Sequence, residues 1–340
     1  MIKLGVIGTN WITQRYVEAA EQTGLWQLTS VYSRTLEKAQ TFGKKYPHVT
    51  EFFDESDAFF NEGTYDTVYI ASPNSMHFEQ AKAAILAGKN VIVEKPACTN
   101  PEQMKEIVSL LRRRPQQYFF EAARNIHDTN YLVVKKAVQS LPDIQGATLT
   151  YMKYSSRYDA FLAGERPNIF SPHFAGGALQ DLGVYLVHAA VGWFGVPLKA
   201  TYFPTYLENG IDAKGIAILE YSKFSVTLNI GKTSNSYLDS EIYGLKETIM
   251  IDSAADLHEV KQILADGRTE ILATQSEENE LLAEAKDFGE ILTNPTSLDN
   301  KQKAEEWLAQ TIEVNKVMYL LRQSCNLYFD GEVRNQDLEG

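Results

Sequence analysis

The segment Glu94-Lys95-Pro96 and the later run from Gly176 to His188 hold the residue types best able to move a proton. The first follows an apolar run, Asn90–Val93, that reads as a strand. Lys95 then falls at a C-terminal strand end, where open α/β sheets bind their ligands. The second reads Gly176-Gly177-Ala178-Leu179-Gln180-Asp181-Leu182-Gly183-Val184-Tyr185-Leu186-Val187-His188. A helix starting at Ala178 puts Asp181, Tyr185 and His188 at i, i+4 and i+7, a carboxylate, a phenol and an imidazole on one face. A phenol with its ordinary pKa of ~10 is a poor base near neutrality. A nearby ammonium such as that of Lys95 lowers that pKa and stabilises a developing alkoxide. Asp181 would orient the lysine or a hydroxyl of the bound molecule. Each residue also has a plainer use. Lys95 can pair with a Glu or Asp, Tyr185 can satisfy its hydroxyl in a core, and His188 can be a packed helix histidine.

The elements that must position these groups follow two different patterns. In the first third, short apolar runs alternate with helical spacing, the sign of βαβ units and a parallel sheet. Strands are expected at Ile2–Ile7, Gln27–Tyr32, Val49–Phe52, Thr67–Ile70, Asn90–Val93 and Gln117–Glu121. Helical spacing recurs at Ile12, Tyr16 and Ala20, and at Phe78, Ala81, Ile85 and Leu86 before a capping Gly88. Pro101 opens another helix, and Arg112-Arg113-Arg114 before Pro115 reads as cations closing it, not as a phosphate patch.

Strand one runs into Gly8-Thr9-Asn10-Trp11-Ile12-Thr13, the place of a G-x-G-x-x-G dinucleotide fingerprint. Only the first glycine is present; Asn10 and Thr13 replace the others. Asparagine tolerates positive φ and can donate to a phosphate, and the helix N-terminus supplies amide donors. A plain strand–helix turn also accounts for the loop. Strand two ends in Tyr32-Ser33-Arg34-Thr35, where NAD-binding proteins carry an acidic residue. Ser33 and Arg34 suit a 2′-phosphate, which favours NADP over NAD. A helix N-cap at Ser33 or Thr35 with Arg34 in solvent fits equally well. Strand four leads into a second ligand-facing loop, Ala71-Ser72-Pro73-Asn74-Ser75-Met76-His77.

After about residue 144 the pattern becomes antiparallel. Ala147–Tyr154, Ala200–Leu207, Gly215–Glu220 and Ser225–Ile230 alternate as strands, with turns at Tyr221-Ser222-Lys223 and Ala265-Asp266-Gly267-Arg268. Helices are expected at Ala178–Phe194, Asn279–Leu292 and Lys301–Arg322. A length of 340 residues suggests two domains, placed at 1–122 for the dinucleotide and 123–340 for substrate and oligomerisation. The open sheet face would suit a homodimer. No window is apolar enough for a membrane span. The first strand leaves no room for a signal peptide, so a cytoplasmic enzyme is expected. A net charge of −12 argues against a nucleic-acid partner, and a small molecule is expected. Cys98 and Cys325 match no metal or redox spacing, so no metal is expected and both read as packing residues.

These motifs together resemble the Gfo/Idh/MocA oxidoreductase family, over essentially the whole chain. The resemblance implies an α/β protein: an N-terminal Rossmann domain with a parallel sheet, then a C-terminal α/β domain with an open, largely antiparallel sheet. It implies that Lys95 contacts the reacting oxygen, that Glu94 lies by the nicotinamide ribose, and that the Ser72-Pro73-Asn74 loop with His77 lines the cofactor site. Some members carry Asp-x-Gly-x-His, with histidine as acid/base. Here the pattern is Asp181-Leu182-Gly183-Val184-Tyr185, which resembles the glucose–fructose oxidoreductase and dimeric dihydrodiol dehydrogenase type and gives the proton role to Tyr185. The expected activity is hydride transfer between NAD(P) and a carbinol carbon of a sugar, polyol or diol, in a cleft between the domains. Arg124, Arg157, Phe170 and His188 are further candidates on the substrate side. Two alternatives stay open: a non-catalytic NAD(P)-binding regulator of the same fold, and a ligand-binding scaffold with an empty Rossmann domain.

Overall fold

The computed structural model describes residues 1–274 and 278–332. The chain divides into two compact units, Met1–Arg124 with Glu277–Ile312, and Asn125–Ser276 with Glu313–Gly340. The first boundary lies two residues beyond the expected one. At the far end, residues 277–312 group with the first unit instead of the second.

In the first unit β1 (Ile2–Ile7), α1 (Trp11–Gln22), β2 (Trp26–Tyr32), α2 (Leu36–Gly43), β3 (Glu51–Phe53), α3 (Ser56–Glu62) and β4 (Thr67–Ile70) are followed by α4 (His77–Leu86), β5 (Asn90–Glu94), α5 (Pro101–Arg112) and β6 (Phe119–Ala122). The six strands are parallel in the order β3-β2-β1-β4-β5-β6. Strand order reverses between β1 and β4, the switch point where doubly wound sheets bind ligands. Both faces are covered, so β1, β4 and β5 are nearly continuous apolar runs. One core holds Leu4, Val6, Tyr16 and Trp26; the other holds Ile7, Val68, Ile70 and Val93.

The second unit contains α6 (Thr129–Ser140), β7 (Gly146–Met152), α7 (Tyr158–Leu162), a π-helical turn at Leu179–Gly183 and α8 (Val184–Phe194). Seven strands follow: β8 (Lys199–Tyr206), β9 (Asp212–Glu220), β10 (Ser225–Gly231), β11 (Ser240–Tyr243), β12 (Thr248–Ile251), β13 (Glu259–Ile263) and β14 (Thr269–Thr274). Their sheet runs β14-β13-β12-β11-β7-β10-β9-β8. Only β7 and β10 pair in parallel; the other neighbours are antiparallel. Alternation makes one face apolar and buried, with Leu149, Leu219, Leu228 and Ile242 on it; α8 packs on β7, the π-turn on β9 and β10, and α6 on β12, β13 and β14. Phe203, Ile216 and Ile271 stand exposed on the strands' other face.

α9 (Leu282–Thr293) returns to the first unit, where the Trp26 indole donates to the Ala285 carbonyl at 2.8 Å and Phe288 stacks on Phe120 at 4.6 Å. The last helix, α10 (Leu298–Ser324), contributes its first part to the first unit and its remainder to the second. No described helix is long and apolar enough to cross a membrane.

Candidate active site

Gly8 ends β1 with φ +97°, and a Cβ there would lie 2.7 Å from the Ala71 carbonyl oxygen. Only glycine combines that backbone with that approach. The two residues replacing later glycines act differently from expectation. Asn10 has φ −85° and is the N-cap of α1: its Oδ1 accepts from Thr13 N at 3.1 Å, and its amide donates to the Ala71 carbonyl at 3.1 Å. It ties the loop to β4 instead of offering its side chain to phosphate. Thr13 is fully buried and donates its hydroxyl to Asn10, so it packs where the third glycine would. The first-turn amides of Trp11 and Ile12 have no acceptor within the helix, as at any helix N-terminus, and such amides could hold a phosphate. Thr9 is half-buried, and Trp11 is 65 % exposed beside them.

At the end of β2, Ser33 is buried and its N–H donates to the Phe53 carbonyl. Thr35 caps α2, accepting from Lys38 N at 3.4 Å, while Arg34 is exposed. The cap and an available guanidinium therefore coexist.

Beyond β4 and β5 two loops are laced together. Ser72 donates its hydroxyl to Gln80 at 2.7 Å, and Asn74 opens a short 3-10 turn after Pro73. His77 is fully buried, with Nδ1 2.9 Å from the Pro96 carbonyl and Nε2 2.9 Å from the Ser72 carbonyl. Its ring is committed within the fold, not presented to a ligand. Burial lowers its pKa, opposed by the Pro96 and Ser72 carbonyls. From β6, Glu121 accepts the Ala97 N–H at 2.8 Å, so the Glu94-Lys95-Pro96 loop is held from two sides. The Tyr69 hydroxyl donates to Glu94, and Tyr69 stacks on Tyr16 at 3.9 Å. Burial raises the Glu94 pKa, against the pull of Lys95 and then of the Tyr69 hydrogen bond. Glu284 from α9 is fully buried, and burial followed by repulsion from Glu94 pushes its pKa well up. Both effects favour the protonated form of Glu284. Arg124 is half-buried and favours the ionised forms of Glu94 and Glu284.

In the second unit, the helix expected from Ala178 begins as a π-turn, with Val184 N–H bonding the Leu179 carbonyl five residues back. Gly177 has φ +113°, and a Cβ there would overlap the Asp212 carboxylate. That space lets Asp212 accept the Leu179 N–H at 2.7 Å and the Tyr202 hydroxyl at 2.9 Å. Burial raises the Asp212 pKa to about 6 against those hydrogen bonds. Asp181 is ion-paired with Lys232, immediately after β10. The Lys232 ammonium lies 5.3 Å from the centroid of Phe170, itself buried against Tyr158 and Phe161. Tyr185 is buried edge-on to Tyr151, at 5.8 Å. His188 is fully buried in α8, and Arg157 is exposed.

Sequence reasoning missed Lys232, Asp212 and Glu284. Lys232 had a usable signal: like Lys95, it ends an apolar strand. The others declare themselves only through partners far away in the chain.

Residues 2–122 match the model of an oxidoreductase family with an NAD-binding Rossmann fold, Gfo/Idh/MocA. The chain is 36 % identical to an uncharacterised oxidoreductase, YgjR, of Escherichia coli K12, over 86 % of this chain and 88 % of that one. It is 34 % identical to the scyllo-inositol 2-dehydrogenase (NADP(+)) IolU of Bacillus subtilis 168, over 98 % of this chain and 99 % of that one. A 3-ketoreductase from Actinomadura kijaniata, solved with NADP and TDP-benzene, has the same fold at 19 % identity, with a TM-score of 0.81 over 95 % of this chain and 97 % of the other.

Proposed function

This chain belongs to the Gfo/Idh/MocA oxidoreductase family and is an NAD(P)-dependent oxidoreductase, and we propose that it interconverts a secondary alcohol and a ketone on a cyclic polyol or sugar, with NADP preferred. The observation that carries this is Lys95 at the end of β5, in a loop fixed by Glu121 and His77 beside the switch point. The relative of matching length named as an NADP-dependent scyllo-inositol 2-dehydrogenase supports the substrate class. It also sets the regulator alternative aside.

The first unit fits a dinucleotide: Gly8 turns the chain at φ +97° in close approach to the Ala71 carbonyl, which no side chain would allow, and the α1 N-terminus offers amides to a pyrophosphate. Ser33 and Arg34 would take the 2′-phosphate, and Glu94 the nicotinamide ribose. When bound, nicotinamide supplies the hydride acceptor or donor. The protein supplies proton handling. In oxidation the Tyr185 oxygen takes the substrate hydroxyl proton, and in reduction it returns one to the ketone oxygen. The Lys95 ammonium stabilises the oxyanion that develops on the substrate. Asp181 accepts a hydrogen bond from a neighbouring substrate hydroxyl. We further assign the sheet face bearing Phe203 and Ile216 to a second copy of the chain.

The test is reduction of NADP⁺ and NAD⁺ over a panel of polyols and sugars that includes scyllo-inositol. On a confirmed substrate, Lys95→Met is expected to cut kcat by roughly 10²–10⁴ while leaving nucleotide affinity near wild type. Turnover undiminished by that substitution would overturn the mechanism.

A further inference from the structure

We propose that Glu284 is a positioning residue for Glu94: of these two neighbouring carboxyl groups it carries the proton, which leaves Glu94 as the charged acceptor for the nicotinamide ribose hydroxyls. This rests on the proposed dinucleotide site and adds to it the group that holds the pair to one negative charge.

The two carboxyl groups differ in what surrounds them. Glu94 ends β5 and keeps part of its surface open. It accepts the Tyr69 hydroxyl and the Lys95 N–H, and the Lys95 and Arg124 cations favour its ionised form. Glu284 is fully buried on α9, and neither of its oxygens meets a hydrogen-bond donor among the described residues. A carboxylate sealed from water without donors is far costlier than the acid, so such a group takes up a proton. The backbone leaves Glu284 little room to move away. A Cβ at Gly289, one turn further on, would lie 2.8 Å from the Leu25 and Trp26 side chains, so α9 is pressed against them. The rings of Tyr16 and Tyr69, stacked at 3.9 Å and 3° from parallel, connect the pair. Tyr69 holds Glu94, while the charges acting on Tyr16 are Glu284 first and Glu94 second. Two carboxylates in one site repel, and the proton settles where the anion is worse supported. Here that is Glu284.

The remaining charges do not reverse this. Arg124 also favours an ionised Glu284, less strongly than burial and Glu94 oppose it, and Asp287 and Glu280 oppose it further. Glu280 is paired with Arg15 of α1 at 2.8 Å. Glu18 and Glu21 lie beyond Tyr16 on α1, Lys3 is exposed on β1, and Lys286 and Glu290 are exposed on α9. Glu121 on β6 accepts the Ala97 N–H, and α10 meets α9 through the Trp307 ring. Losing the Glu284 proton therefore puts a second anion beside Glu94. NADPH, whose nicotinamide ring is neutral, gains nothing from that charge, and its affinity falls as pH rises. Buried glutamates that titrate at about 8–9 are known, which sets the range to test.

The experiment compares wild type with Glu284→Gln and Glu284→Leu. Glutamine mimics the protonated carboxyl group; leucine is also neutral and covers the case in which the glutamine does not fold. Infrared difference spectra between wild type and each variant, taken without nucleotide at about pH 6.5, should show the carbonyl stretch of a protonated carboxyl group in wild type alone. NADPH titrations then run from about pH 6.5 to about pH 9.5. Wild type is expected to lose affinity about tenfold across that range, and the variants less than about threefold. Absence of the infrared band overturns the inference alone. So does an equal fall in affinity in wild type and variants, or NADPH binding lost at about pH 6.5 in both variants. Wild-type protein that shows the band but binds no NADPH at any pH overturns the dinucleotide reading instead.

Discussion

The imidazole of His77 touches the main-chain carbonyl of Pro96 at 2.9 Å, while its other nitrogen meets the carbonyl of Ser72 at 2.9 Å. One buried ring thus fastens the loop after β4 to the loop that carries Lys95. A neutral imidazole has a single N–H, so one of these contacts is completed only when the ring gains a second proton.

His77→Leu should therefore act through loop position, not through a lost ligand contact. Each buried carbonyl left unpaired costs about 1–3 kcal/mol. The expected outcome is a lower Tm, and a kcat that falls more than NADPH affinity does. Thermal melts and steady-state kinetics on one preparation check it. A variant with wild-type stability and a selective loss of NADPH affinity would make His77 a direct cofactor contact.

Two glycines offer separable tests of the two units. Gly8→Ala places a Cβ 2.7 Å from the Ala71 oxygen at φ +97°. It should weaken NADP⁺ binding by an order of magnitude or more (about 1.4 kcal/mol per tenfold). Gly177→Ala drives its methyl into Asp212 at φ +113° and so displaces the start of the π-turn. It should lower kcat/KM for substrate while leaving nucleotide titrations near wild type. Reversed readouts would contradict the assignment of cofactor to the first unit and substrate groups to the second.

Arg34 is exposed while Thr35 performs the helix cap, so replacing the arginine should leave α2 intact. Arg34→Ala is expected to raise the Kd for NADP⁺ about ten- to a hundredfold, the scale of a lost charge-assisted hydrogen bond, with NAD⁺ unaffected. Titration with both nucleotides measures the ratio. An unchanged ratio would remove Ser33-Arg34 as the 2′-phosphate cradle.

What the sequence made legible follows the range of the interactions involved. β1 and β4 were read to the residue, because each is a short apolar run closed by a turn. Lys95 was visible because a lysine between Glu and Pro at a strand end has few structural uses. Asn10 was misjudged because its role depends on Ala71, 61 residues away. The half-buried β11 and β12 show only four residues each, too few for alternation to register. α9 was read as a helix but given to the wrong unit, since its anchor on Trp26 spans 259 residues. The π-turn was hidden by a sequence fully compatible with an ordinary helix.

Asp212 provides a pH test with a defined sign. Burial raises its pKa from 3.8 to about 6, so the folded state holds the proton more tightly than the unfolded chain. The associated stability is fully present below pH 3.8 and is lost as pH rises through about 6. Relative to Asp212→Asn, which keeps an acceptor for Leu179 or Tyr202, wild type should lose about 1–1.5 kcal/mol between about pH 5 and 7.5. Urea unfolding of both proteins across that range reads the difference directly. If the two curves run parallel, Asp212 is ionised throughout, and the Lys232 ammonium that favours its charged form outweighs its burial.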